Sequence, residues 1–284
     1  MKWQAGDDRY VEDRRGMSLG RGVPLGIGGT LVLLVLSWLT GTDLLSLFGS
    51  ATQTGGGQVV ERQAAPGDDQ MKHFAGTMLE DLNDTWARAL GGRYQPTTVV
   101  LFTDQVDAEG CGVAGSATGP FYCPATHKVY IDLGFYRELE ERFGAPGDFA
   151  KAYVLAHEVG HHVQALLGID SQVRRAQQSQ PQQANALSVR MELQADCFAG
   201  VWGHVASQSG RAAQNKVELE AGDVEEGLNA AAAIGDDRLQ RQATGRVAPE
   251  KFTHGSSAQR VQWFRRGLDS GNPDACDTFG TATR

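Results

Sequence analysis

Two histidines four residues apart enclose a glutamate in the string His157-Glu158-Val159-Gly160-His161. On an α-helix, positions four apart differ by about 40° around the axis, so both imidazoles project from one face toward one point. A pair so placed can grip one zinc ion, and a carboxylate beside it can take a proton from water that the metal has acidified. Glu158 is therefore the candidate general base. The chemistry expected is metal-assisted hydrolysis, with one Zn2+ per chain.

A catalytic zinc keeps three protein ligands and one open position, so a further ligand is needed downstream. The metzincin continuation requires Gly and His where this chain has Gln164 and Leu167, which excludes that branch. The candidate that remains is Glu192-Leu193-Gln194-Ala195-Asp196, with two carboxylates one helical turn apart on one face. Glu192 as ligand completes a His2Glu set, and Asp196 can then accept the free ring N–H of a ligand histidine. Exchanged roles, with Asp196 on the metal, use the same residues. His162 points about 100° away from His161 and is assigned to packing or surface. His73, His127 and His204 have no motif spacing.

The elements that must carry these groups can be read from periodicity and punctuation. Pro146-Gly147-Asp148 supplies a turn and an N-cap for a helix from Phe149 to Leu167, with Gly168 as its stop. A second motif helix is expected from Ala186 to Ser207, with Ser171 to Ala186 as a polar, exposed connection. Phe74, Met78, Leu82 and Trp86, four apart, predict a helix over 71–90. Helices are also predicted at Phe135–Phe143, Asp223–Ala233 and Ser256–Leu268, and strands at Thr97–Phe102 and Lys128–Leu133.

Composition bounds the rest. The 284 residues are 41% hydrophobic and 21% charged, an ordinary globular balance. A net charge of −8 without a basic block argues against nucleic acid as a partner. Val23 to Thr40 is uncharged and is followed by apolar Leu44 to Phe48, so residues 23–48 are expected to form a transmembrane anchor. Arg14, Arg15 and Arg21 precede it, which places residues 1–22 in the cytoplasm and the rest in the periplasm or outside the cell. A cleaved signal peptide is the rival, with Gly49-Ser50-Ala51 as a small-residue cleavage site. Residues 49–69 have linker composition, and 70–284 form the zinc-binding domain. Four cysteines suit an exported domain with two disulfides. Three pairings are possible; if Cys111 and Cys123 close the glycine-rich stretch they bracket, Cys197 and Cys276 are left to tie the second motif helix to the C-terminal tail.

Several short motifs now stand in order: Cys111-Gly112, the run from Gly119 to Pro124, Val129 to Leu133, His157 to Gln164, and Glu192 to Trp202. In that combination the whole chain resembles the bacterial neutral zinc metallopeptidases of the YpfJ type. The resemblance implies an α+β, zincin-like domain, mostly helical with a small sheet, behind one N-terminal transmembrane helix. It implies a membrane-anchored peptidase acting on peptide or protein substrates. Thermolysin-like enzymes, whose ligand set is His2Glu, favour Glu192 as the third ligand. Gluzincin and HtpX-like endopeptidases are more loosely similar, and they carry a further His followed six residues later by Arg. Here that pair is His254 and Arg260, although Gly255 stands where those enzymes often have Pro. By analogy His254 hydrogen-bonds the developing oxyanion and Arg260 supports substrate or the Glu192 carboxylate. Val129–Leu133 lies where zincin-like folds keep the edge strand that pairs with an extended peptide. The alternatives are a non-catalytic exported zinc-fold binding module and an amidase acting on cell-envelope material.

Overall fold

The computed structural model describes residues 1–16 and 68–280. In chain order the elements are β1 (Val11–Asp13), α1 (Asp68–Leu90), β2 (Thr98–Phe102), β3 (Gln105–Asp107), β4 (Val113–Gly115), β5 (Phe121–Cys123) and β6 (Lys128–Asp132). Then follow α2 (Gly134–Glu141), α3 (Asp148–Leu166), α4 (Ile169–Ser179), α5 (Ala184–Ala206), α6 (Asp223–Ala233), α7 (Asp236–Thr244) and α8 (Ser257–Ser270). The architecture is α+β, mostly helical with a small sheet.

The four-residue stripe of α1, Phe74, Met78, Leu82 and Trp86, is fully buried. Such a stripe gives a helix one apolar face, which here packs on the sheet and on α3. The main sheet has the order β1-β2-β6-β5, parallel across β1, β2 and β6 and antiparallel between β6 and β5. Because side chains alternate along a strand, Val99, Leu101, Val129 and Ile131 face the helices. Val100, Phe102 and Tyr130 face the other way, against Val106 and Ala114 of the small β3–β4 hairpin. Both faces of β2 and β6 are therefore covered, and both strands are almost continuously apolar.

Three helices carry the motif residues, and glycine sets how closely they meet. A Cβ on Gly160, inside the zinc motif, would lie 2.9 Å from the backbone of Ala195 on α5. The α5–α8 contact is closer still: a Cβ on Gly267 would fall 1.9 Å from the Cys197 carbonyl, and one on Gly200 2.0 Å from that of Phe264. Helix α8 starts on a capping box in which Ser256 and Gln259 satisfy each other's backbone N–H groups. Disulfides join Cys197 on α5 to Cys276, beyond α8, and Cys111, in the β3–β4 turn, to Cys123 on β5.

Several expectations change. The connection at Ser171 to Ala186 is largely helical, as α4: Gln, Arg and Ala are good helix formers, and Val173 buries one face. Helix α7 and the β3–β4 hairpin carry too few apolar residues to show a period. Val129–Leu133 is not an edge strand, because β6 lies between β2 and β5, and the edge falls to β5.

The expectation of a single-pass anchor, with a cytoplasmic N-terminus and the domain across the membrane, is also corrected. No helix among the described residues is long and apolar enough to cross a membrane. Moreover, β1 pairs in register with β2, Val11 beside Val99, and the Lys2 N–H donates to the Glu218 carbonyl at 2.8 Å. Strands of one sheet lie on one side of a bilayer, so a crossing that separates residues 1–16 from 68–280 is incompatible with this pairing. Residues 23–48, and residues 49–67 of the expected linker, lie outside the described residues, and Asp68 and Asp69 already belong to α1.

Gly267→Ala should force α5 and α8 apart, at a cost of about 3 kcal/mol, the upper end of ordinary overpacking. Urea unfolding of the variant beside the parent measures it, and an unchanged midpoint would show that the contact tolerates a methyl group.

Candidate active site

Helix α3 brings His157, Glu158 and His161 to one wall of a cleft of about 1240 Å3, and α5 brings Glu192 to meet them. One ligand atom from each of His157, His161 and Glu192 lies within 4.8 Å of the others. His157 Nε2 is 3.1 Å from one Glu192 oxygen, and His161 Nε2 is 3.5 Å from the other. Bonds of roughly 2.0–2.1 Å to a tetrahedral zinc put ligand atoms roughly 3.3 Å apart. The donor types are those of zinc, and the two imidazole-to-carboxylate separations of 3.1 and 3.5 Å bracket that spacing.

Asp196 occupies a different place. It is fully buried one turn beyond Glu192, and its oxygens are taken by three other side chains. His157 Nδ1 donates to it at 2.8 Å and the Tyr153 hydroxyl at 2.5 Å. Arg260 donates through Nε and a terminal nitrogen, both at 2.9 Å. Asp196 is turned to these donors, and Glu192 is the carboxylate that meets both imidazoles. Arg260, expected beside substrate or Glu192, lines the cleft and makes a two-pronged ion pair with Asp196. Neither charge would be tolerated alone at this depth.

The electrostatics follow from these contacts. Burial by itself pushes both carboxyls up. The His161 and His157 rings overcome this and hold Glu192 well below the usual carboxylate range, while Arg260 and His157 hold Asp196 down. Burial pulls the His157 ring down, yet Asp196 and then Glu192 raise it to about 10. The geometry gives the reason: both ring nitrogens face carboxylates, and only the imidazolium can donate to both. His161 is raised by Glu192 against its own burial.

His254 lines the same cleft from the loop before α8. Its Nδ1 lies 3.2 Å from Asp236 Oδ1, and Asp236 Oδ2 accepts the backbone N–H groups of Thr253, His254 and Gly255 at 2.7, 2.7 and 3.1 Å. One carboxylate at the start of α7 thus fixes both the loop and the ring. That hydrogen bond, with support from Glu192, raises the His254 pKa.

His162, assigned to packing, is buried; its Nε2 donates to the Gln95 carbonyl at 2.7 Å and its Nδ1 meets the Tyr122 hydroxyl at 3.0 Å. Desolvation pulls its pKa down to about 4, so the ring is neutral. Tyr153, Asp236, Gln164 and Gln194 take part in or support the site without having been singled out. Gln164 and Gln194 lie inside the two metal motifs, and Tyr153 is one turn before His157, where helical spacing points to them. Asp236 has no such signal, because only the tertiary fold brings it to His254.

A family model described as putative neutral zinc metallopeptidase matches residues 1–279. The chain is 48% identical to the uncharacterized protein YpfJ of Escherichia coli over 99% of each chain. It is also 48% identical to an uncharacterized protein of Mycobacterium tuberculosis, over 69% of this chain and 67% of the relative. No solved structure matches the chain.

A metal binds a neutral imidazole, so loading zinc at pH 7 should release at least one proton per ion, from His157. Calorimetry in buffers of differing ionisation enthalpy counts these protons, and a count of zero would contradict the charge state derived above. The raised pKa also sets a stability trend. In metal-free protein the charged ring's contribution is complete below about 6.5 and fades as pH rises toward about 10.

Proposed function

The chain belongs to the putative neutral zinc metallopeptidase family, and from that premise we propose that it hydrolyses peptide bonds at the His157–His161–Glu192 cluster with Glu158 as general base. The observation that carries this reading is the convergence of three zinc-type ligand atoms within 4.8 Å in a cleft that Glu158 also lines. A structural zinc site has four protein ligands and no use for a base. Three ligands beside a carboxylate in an open cleft suit hydrolysis.

A zinc ion held by these residues supplies a Lewis acid that acidifies water and polarises a carbonyl. Glu158 takes the proton of the attacking water and passes it to the leaving amine. Asp196 keeps His157 in the tautomer whose Nε2 faces the cluster, and Arg260 and Tyr153 keep Asp196 in place. His254, which lines the cleft with Nδ1 beside Asp236, donates a hydrogen bond to the oxyanion as it forms in this reading. Phe121 and Tyr122 of β5, an edge strand among the described residues, line the cleft, so an extended peptide can pair along that edge.

Glu158→Gln should retain zinc and lose hydrolysis of a denatured protein or peptide library by about 10²–10⁴-fold. Zinc content and turnover are measured together, with a chelator-treated parent as control. Undiminished turnover in the variant would remove Glu158 from the mechanism. A zinc-loaded parent that cleaves nothing would point to a binding module.

A further inference from the structure

The two histidines of the cluster are oriented by different means. Where His157 donates to a carboxylate, His161 Nδ1 lies 2.8 Å from the amide oxygen of Gln164, three residues on along α3. Gln164 is fully buried, and its nitrogen donates to the Met191 carbonyl at 2.7 Å and to the Gln194 amide oxygen at 3.0 Å. The Gln194 nitrogen in turn donates to the Cys276 carbonyl at 2.9 Å. Cys276 is fixed to α5 by its disulfide with Cys197.

This chain of amides has only one possible direction. Main-chain carbonyls accept and never donate, so Met191 and Cys276 dictate which end of each amide is nitrogen. The Gln164 oxygen therefore faces His161, and as an acceptor it requires the proton on Nδ1. In the neutral ring, the form that binds a metal, Nε2 is then the nitrogen with a lone pair, on the side of the ring that faces Glu192.

We propose that Gln164 and Gln194 are positioning residues for the metal, a buried amide relay that fixes the tautomer and rotation of His161 and is anchored on the disulfide-held C-terminal segment. The relay gives Gln194 a purpose between Glu192 and Asp196 on α5: it faces away from the cleft and reaches the tail. It also accounts for a neutral partner at His161. Glu192 and Asp196 already supply two negative charges to the cluster, and an amide orients the ring without adding a third. The proposal rests on His161 being a zinc ligand, as proposed above.

Zinc dissociation constants of the full chain, measured against a competing chelator, test it together with the visible spectrum of the Co2+-loaded protein and the Tm of the metal-free protein. Gln164→Leu removes the acceptor at His161 and should weaken zinc binding about 10–100-fold and alter the Co2+ spectrum. Gln164→Glu keeps an acceptor there while losing the onward donors. It should lower the metal-free Tm yet bind zinc more tightly than Gln164→Leu. Gln194→Leu, one step farther from the metal, should weaken zinc binding less than Gln164→Leu, and it keeps the test available if the other variants fold poorly. Lower Tm values with parental zinc affinity and parental Co2+ spectra would reduce both glutamines to core packing and overturn the proposal. His161→Ala separates the premise: unchanged zinc binding in that variant would remove His161 from the cluster, whereas its loss alongside unaffected glutamine variants would refute the relay alone.

Discussion

The Asp196 carboxylate is the constraint on which the site depends. It is fully buried on α5, and it receives His157 and Tyr153 from α3 and Arg260 from α8. An unpaired carboxylate at that depth would be strongly destabilising, so the three helices can pack only in a way that brings these donors to it. The same packing places Glu192, one turn earlier on α5, opposite His157 and His161. The cluster is thus a consequence of satisfying Asp196, and the glycines at 160, 200 and 267 let the helices come close enough for it to happen.

Around that pairing the protein spends its buried polar groups on orientation. Asp196 fixes His157, Gln164 contacts His161, and Asp236 fixes His254 while accepting three backbone N–H groups. Each of these residues is itself held by further partners, so the side chains at the cleft are positioned before a ligand arrives. Such preorganisation suits a metal-binding cluster, because a ring rotated by a few tens of degrees would no longer direct its lone pair at the point where the ligand atoms converge. The sheet and α1 contribute indirectly: they form the core against which α3 is seated, and they leave β5 as a free edge beside the cleft.

How much of this could be read from the chain depends on whether a feature is local. The spacing of His157, Glu158 and His161 is a property of one helix, and its consequence, two imidazoles on one face, follows from 3.6 residues per turn. The stripe on α1 and the apolar runs of β2 and β6 are likewise visible, because burial demands a period. Helices α4 and α7 were not, since their sequences are polar and only neighbours supply the buried side. The apolar stretch at 23–48 suggested a topology that the pairing of β1 with β2 does not permit. Hydropathy reports a segment's preference and carries no information on which distant strand residues 11–13 will join.

The sequence by itself therefore determined the family and the helix that bears the motif, because those rest on residue type and short spacing. It left open whether Glu192 or Asp196 faces the cluster, since both lie on the same face of the same helix. Tertiary structure decided that by giving Asp196 three donors and leaving Glu192 opposite the imidazoles. It also assigned Arg260 to Asp196 and Asp236 to His254, contacts spanning 64 and 18 residues of sequence. Contacts of that range arise from how whole elements pack, and no spacing rule within a single element can express them.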